Sequence, residues 1–423
     1  MEILAQYGHV LVIVAALFGF FMAYGVGAND VANAMGTSVG SKALTLKQAL
    51  IIAAIFEASG AWLAGGEVTS TIRSGIVDAE AFKEVPQLLV YGMIGSLLAA
   101  GSWLLVASHY GWPVSTTHSI VGAIIGFASV GVGMDYVHWD SVGGIVGSWV
   151  VTPLLSGVLA FLIFMSAQHF IFNTDSPLKA AKKFVPYYMF FAAYIMSYVT
   201  VTKGLKHVGL DLSTNEGILL CFAIALVVAL IGAFAISRLK IDPDADKEMH
   251  FTNVEKIFGI LMIFTACCMA FAHGSNDVAN AIGPLAAVVG IIQSGGQILD
   301  KVSLDWWILP LGAIGIVVGL ATLGAKVIQT IGENITHLTP SRGFAAEIAA
   351  ATTVVVASGM GLPISTTQTL VGAVLGVGMA RGIAALNLGV IRNIFVSWVV
   401  TLPIGAFLSI IFFYVIKTVM EAL

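Results

Sequence analysis

The chain has 423 residues, 58% hydrophobic and only 10% charged, with a mean hydropathy of +0.96. Soluble domains are about 45–50% apolar and about 25% charged, and a single soluble core stops growing near ~250–300 residues, so a water-soluble fold and a disordered chain are both excluded. A net charge of −4 with no basic cluster excludes nucleic acid as a partner, and Cys221, Cys267 and Cys268 all lie in apolar runs that suit buried thiols rather than a disulfide framework.

A membrane-crossing helix needs about 20 mostly apolar residues. In chain order such segments fall at 7–26, 45–66, 88–108, 113–131, 143–168, 186–203, 217–237, 254–273, 307–328, 344–361, 363–379 and 390–416, twelve in all. The expected class is an all-α polytopic membrane protein. Residues 1–41 hold no Lys or Arg, so the first apolar run lacks the basic start of a cleaved signal peptide. The short connections around 109–112 and 361–363 join either two full spans or the arms of re-entrant hairpins. Lys and Arg concentrate in cytoplasmic loops. With the N-terminus outside, 13 of the 19 basic residues face inward, so both termini are expected outside, in the plasma (inner) membrane.

The chain repeats itself. Gly27-Ala28-Asn29-Asp30-Val31-Ala32-Asn33-Ala34 returns as Gly274-Ser275-Asn276-Asp277-Val278-Ala279-Asn280-Ala281, offset by 247. Pro113-Val114-Ser115-Thr116-Thr117 returns as Pro363-Ile364-Ser365-Thr366-Thr367 at 250, and Ser148-Trp149-Val150-Val151-Thr152 as Ser397-Trp398-Val399-Val400-Thr401 at 249. This divides the chain into a first repeat at 1–168, linking helices and a central loop at 169–253, and a second repeat at 254–423. Span eight matches span one after seven crossings, an odd number, so the second repeat is expected inverted.

Four of the 23 acidic residues sit in or at the ends of apolar segments: Asp30, Glu57, Asp277 and Glu347. A carboxylate at mid-bilayer costs a few kcal/mol, and no Lys or Arg lies beside these in sequence. Each is therefore protonated, hydrated or paired with a cation from solution. Gly27 and Gly274 are expected to break their helices, with Asn-Asp capping new ones; the plainer alternative is that Asp30 and Asp277 are only N-caps. Asn29 and Asn33 share a face at i and i+4 beside Asp30, as do Asn276 and Asn280 beside Asp277. Carboxylate and amide oxygens in that pattern suit a hard cation such as Na⁺, with a proton on the Asp as the variant. Pro-x-Ser-Thr-Thr reads as a helix start whose free N–H groups, dipole and hydroxyls form an anion site without Arg. The plainer alternative is hydroxyls bonded back to their own helix.

Glu57 and Glu347 are secondary cation, gating or packing candidates. Position 304, 247 residues after Glu57, is Leu304, next to Asp305, and the partner position of Glu347 is Leu97. His118 pairs with Gln368 and His273 with Val26, an asymmetry that argues against histidine chemistry and leaves His273 as a local hydrogen-bonder. Trp149 and Trp398 read as packing or interfacial residues, and 242–248 as a solvated loop between the halves.

These motifs, with Phe271-Ala272-His273-Gly274-Ser275-Asn276-Asp277 and Ile55-Phe56-Glu57-Ala58, resemble the inorganic phosphate transporter (PiT) family over nearly the whole chain. The resemblance implies a cation-coupled phosphate symporter rather than an enzyme. It implies phosphate on Asn29, Ser115, Thr116, Thr117, Asn276, Ser365, Thr366 and Thr367. It also implies Na⁺ on Asp30, Asn33, Asp277 and Asn280, with Glu57 and Glu347 matching family glutamates. The expected partners are phosphate, Na⁺ or H⁺, the bilayer and a second copy in a homodimer, with no cofactor besides the coupling ion. An H⁺-coupled or metal-phosphate symporter is the alternative, followed by a sulfate transporter and a passive anion channel.

Overall fold

A computed structural model describes residues 2–204, 212–239, 251–298, 304–325, 327–328, 338–382 and 388–423. Loop 242–248 lies outside them. The described residues hold thirteen α-helices: α1 (Glu2–Gly40), α2 (Leu46–Ala64), α3 (Gly66–Ser74), α4 (Pro86–His109), α5 (Thr116–Gly131), α6 (Trp139–Ala167), α7 (Pro177–Val199), α8 (Thr214–Ser237), α9 (Thr252–Gln293), α10 (Ile308–Gly319), α11 (Pro340–Gly359), α12 (Thr366–Arg381) and α13 (Leu388–Glu421). Each of the twelve expected spans falls on one of them, and the short α3 is the addition. Among the described residues, eight helices are long and apolar enough to cross a membrane, so the chain is an integral membrane protein.

Local sequence explains the boundaries. Thr45 and Gln48 form a capping box at α2, and Ser213 with Glu216 does the same at α8. Pro86, Pro177 and Pro340 stand in the first turns of α4, α7 and α11, where a missing N–H costs nothing. Ser115 and Ser365 are N-caps in extended conformation, each accepting a bond from the amide three residues on.

The helix pairings recur when the halves are exchanged. α1 packs on α4 as α9 packs on α11; α4 meets α5 as α11 meets α12; α1 meets α10 as α9 meets α2. The halves also interlock, α5 against α13 and α12 against α6. Two apolar cores follow, one around Phe258, Met262 and Phe344, the other around Tyr91, Phe127 and Phe413. Each draws on both repeats.

The expected breaks at Gly27 and Gly274 are corrected. α1 runs unbroken for 39 residues and α9 for 42, with both glycines inside them. The glycines serve interhelical contact instead. A Cβ on Gly27 would lie 1.9 Å from the Ile316 carbonyl oxygen, and one on Gly274 would lie 2.2 Å from that of Glu57. On the facing helices, Gly319 meets Tyr24 and Gly60 meets Phe271 in the same way. A glycine inside a helix costs roughly 0.5–1 kcal/mol against Ala, which close backbone packing in a membrane offsets.

This crossing also corrects the pairing of Glu57. The backbone that Gly274 meets belongs to Glu57, and the backbone that Gly27 meets belongs to Ile316, so Ile316 rather than Leu304 is its counterpart. Asp305 is not a near-equivalent; it binds Gln293 Nε2 at 2.6 Å on the exposed surface.

Candidate functional site

Because α1 and α9 continue through the motif, Asp30 and Asp277 lie inside helices and the N-cap alternative does not hold. Both are buried, as are Asn29, Asn276 and Asn280. The side chain of Asn33 lies outside the described residues.

The first Asn of each motif clamps the approach to the Ser-Thr-Thr helix of its own half. Asn29 Nδ2 donates to Ser108 Oγ at 3.2 Å and to the Trp112 carbonyl at 2.9 Å, while the Val114 amide donates to Asn29 Oδ1 at 3.1 Å. Asn276 Nδ2 donates to Ser358 Oγ at 3.0 Å and to the Leu362 carbonyl at 3.1 Å. Ser108 and Ser358 were not among the expected residues. Their signal is the same offset of 250 that relates the Ser-Thr-Thr runs.

The two Ser-Thr-Thr helix starts meet across the halves. Thr117 Oγ1 donates to the Ile364 carbonyl at 2.8 Å, and Thr367 Oγ1 donates to the Val114 carbonyl at 3.3 Å. Asn280 Nδ2 donates to Thr116 Oγ1 and Thr117 Oγ1, both at 3.1 Å, and Thr366 Oγ1 donates to Asp277 Oδ2 at 2.8 Å. The structure thus gathers Asp277, Asn280 and both hydroxyl runs at one junction. Thr116, Thr117, Thr366 and Thr367 all bond neighbouring segments. Their first-turn amides have no acceptor within the helix.

His273 was expected to be a bystander. Its Nδ1 lies 3.0 Å from Glu57 Oε2 and its Nε2 lies 2.8 Å from Asp277 Oδ2, all fully buried. It therefore joins Glu57 on α2 to the motif on α9. Ligand atoms of Asp30, His273 and Asp277 all lie within 4.8 Å of one another, which brings the two repeated aspartates into one cluster. The symmetry-related place of the Glu57–His273 pair is taken by Ile316 and Val26, so the cluster is polar on one side only.

The remaining chemistry is acceptor-rich. Asp30 Oδ1 and Oδ2, Asp277 Oδ1, Glu57 Oε1, Asn276 Oδ1 and Asn280 Oδ1 are buried with no hydrogen-bond partner. No Lys or Arg pairs with these groups among the described residues. Unpaired buried carboxylates are expensive, and oxygen acceptors without donors are what a hard cation takes as ligands. Glu347 differs. Its Oε1 accepts from Thr37 at 2.5 Å and Ser38 at 2.6 Å, and its Oε2 accepts from Thr265 at 2.8 Å. Those hydroxyls pin α11 to α1 and α9, and a single motif-based reading had no signal for them.

A polytopic helical bundle with a buried, polar, two-part site between its halves defines a membrane transporter. The phosphate transporter family model matches residues 26–409, and the chain belongs to that family. A Haemophilus influenzae homologue is 59% identical over 422 residues, covering 99% of this chain and all of that protein. The inorganic phosphate transporter 2-1 of Arabidopsis thaliana, a chloroplastic protein, is 43% identical over 96% of this chain and 72% of its own. A solved structure titled the sodium-dependent phosphate transporter superposes with a TM-score of 0.89 at 42% identity, covering 97% of this chain and 99% of the other.

Proposed function

We propose that this chain carries inorganic phosphate into the cell together with Na⁺ by alternating access. The observation that carries the reading is the set of buried, donor-less oxygens on Asp30, Asp277, Asn276, Asn280 and Glu57 beside two helix N-termini. In this reading Na⁺ sits on the oxygens of Asp30 and Asp277, with Asn33 and Asn280 as further ligands. Phosphate takes the place of the contacts between the Ser-Thr-Thr runs, held by hydroxyls, first-turn amides and the positive helix ends. Asn29 and Asn276, assigned to phosphate on sequence, are read as holding the helix starts in place for it. Ser115 and Ser365 act through their caps in the same way.

Coupling follows from charge. Phosphate next to the buried carboxylates of Asp30 and Asp277 is repelled; a cation on them removes the repulsion, so each ligand raises the other's affinity by the same factor. Hydrogen phosphate also carries an O–H that one of the orphan oxygens accepts, whereas fully ionised sulfate leaves it unpaired. The repeats at 1–168 and 254–423 would enter the membrane from opposite sides, with both termini outside and the plasma membrane as location.

A second reading rests on His273. Its nitrogen in the Asp30–Asp277 cluster gives a mixed N and O donor set that suits a divalent transition metal better than Na⁺, and a metal-phosphate cargo would use it. Proteoliposome uptake separates the readings. A Na⁺ gradient alone is expected to drive phosphate accumulation and a pH gradient alone is not. The reverse result overturns Na⁺ coupling in favour of H⁺, and uptake that requires a divalent metal and stops with EDTA selects the metal-phosphate cargo.

A further inference from the structure

No Lys or Arg pairs with the central cluster among the described residues, yet an arginine stands further along α9. A Cβ on Gly283 would lie 3.5 Å from the Arg73 amide nitrogen, so the end of α3 lies on α9 there. Gly283 is six residues past Asp277, about 9 Å along the helix at ~1.5 Å per residue. Beyond it, Arg73 lines a cavity of about 230 Å³ together with Ala286 and Gly290 of the next two turns.

The wall of this cavity is held in place by two loops. The Asp78 amide donates to the Tyr136 carbonyl at 2.8 Å, and the His138 amide donates to the Ile76 carbonyl at 2.9 Å. This pairing fixes the loop after α3 against the loop before α6, and with it Asp78 and His138 on the cavity wall. Asp78 Oδ1 accepts from the Glu80 amide at 2.9 Å, which leaves Oδ2 as an acceptor. Glu80, also on the wall, is exposed and pairs with Lys83. Arg73 is half-buried and is the only Lys or Arg among the described lining residues.

These groups select a small oxyanion that still carries a proton. A guanidinium stays charged and presents a planar fork to two oxygens of a phosphate. A neutral imidazole adds one N–H donor, and Asp78 Oδ2 adds one acceptor for an O–H. A bare metal cation is repelled by Arg73, and fully ionised sulfate meets the charge of Asp78 with no O–H to offer. The volume lies below the ~300–1,000 Å³ of pockets that take larger organic ligands.

We propose that this cavity is a capture site for hydrogen phosphate, where Arg73 holds the anion before it passes along α9 to the Ser-Thr-Thr junction. The inference rests on the reading of this chain as a phosphate carrier and adds the step that draws the anion from water. The arginine belongs to one half only. Glu57 and Gly60 correspond to Ile316 and Gly319, 259 residues on, and the same count from Arg73 reaches Gly332, outside the described residues. A cation at one mouth, replaced by glycine in its sequence counterpart, speeds loading from that side.

Binding is read without Na⁺, where the central carboxylates repel the anion and Arg73 attracts it. The full chain in phosphatidylcholine nanodiscs, in choline chloride, is expected to broaden the phosphorus NMR resonance of inorganic phosphate. Arg73→Gln should weaken that binding roughly 10–100-fold, the effect of losing one charge-assisted pair, and Arg73→Lys should restore part of it. Asp78→Asn, which keeps the capping oxygen, should strengthen competition by sulfate by about tenfold. In proteoliposomes Arg73→Gln should raise the phosphate KM by the same factor as it weakens binding, with kcat and the Na⁺ dependence unchanged. Wild-type kcat/KM should fall as choline chloride is raised, and that of Arg73→Gln should not, because the screened charge is gone. Absence of Na⁺-free phosphate binding, or equal binding by Arg73→Gln, overturns the capture site. So does a variant that loses kcat and thermal stability together while keeping the wild-type salt response, since Arg73 is then a packing residue. Na⁺-free binding at Arg73 in a protein that carries no phosphate keeps the anion site and overturns the carrier reading alone.

Discussion

At the residue scale, two neighbours look alike in sequence and differ in the structure. Asn29 uses its whole carboxamide on Ser108, Trp112 and Val114, whereas both oxygens of Asp30 lie buried without a partner. Removing a satisfied group orphans its partners at about 1–3 kcal/mol each; neutralising an unpaired buried charge relieves strain. Asn29→Ala is therefore expected to lower the unfolding temperature of the purified protein. Asp30→Asn should leave it unchanged or raise it in Na⁺-free buffer, while lowering Na⁺-driven uptake by about 5–150-fold, the span of typical coupling energies. A destabilised Asp30→Asn protein would mean that this carboxylate is a packing group. His273 provides a second contrast. It touches Glu57 and Asp277, so His273→Leu should reduce uptake more than Val26→Leu, its apolar counterpart in the first repeat, measured as initial rate at equal expression. Equal effects would return His273 to the local role that sequence suggested.

At the scale of elements, the motif helices show why periodicity and punctuation mislead in a membrane. A glycine followed by Asn-Asp carries the marks of a helix stop and restart, yet α1 and α9 pass through it because the glycine faces another backbone. The evidence is spatial: Ile316 against Gly27 and Glu57 against Gly274. No local pattern contains it. The Ser-Thr-Thr starts were legible for the opposite reason, since Pro followed by a capping Ser is a local device, and α5 and α12 begin where it predicts. The same logic yields a test with a sign. In an ordinary helix Gly→Ala is worth roughly 0.5–1 kcal/mol of added stability. At Gly27, Gly60, Gly274 and Gly319 the added methyl meets a carbonyl oxygen at 1.9–2.2 Å, and overpacking of that kind costs about 1–3 kcal/mol. Each Gly→Ala variant should lower thermal stability in detergent; a rise at any of the four would remove that crossing from the account.

At the scale of the molecule, helix existence, the repeat and the paired polar motifs were readable because each rests on composition or on a long self-match. What sequence could not supply is how the halves interlock. The contacts of Asn280 with Thr116 and Thr117, of Thr117 with Ile364 and of Thr367 with Val114 all join residues more than 160 positions apart. The insertion that displaces Glu57's counterpart from Leu304 to Ile316 is likewise visible only where backbones meet. The interlock repeats when the halves are exchanged, α5 on α13 and α12 on α6, and such exchange is what two repeats related by a two-fold axis produce, whether the axis lies in the membrane plane or along its normal. An axis in the membrane plane makes equivalent loops face opposite sides. Lys47 is exposed at the start of α2, just past the turn after α1, and Ser294 stands in the turn after α9, so under that arrangement single cysteines there, on a background lacking Cys221, Cys267 and Cys268, should label from opposite faces. With the basic residues counted by side, Lys47→Cys is expected to react with an impermeant maleimide only after the cytoplasmic face is opened, and Ser294→Cys in intact cells. If both label from one side, the repeats are parallel. A cation and an anion arriving at a site between parallel halves would then need a different route through the bundle.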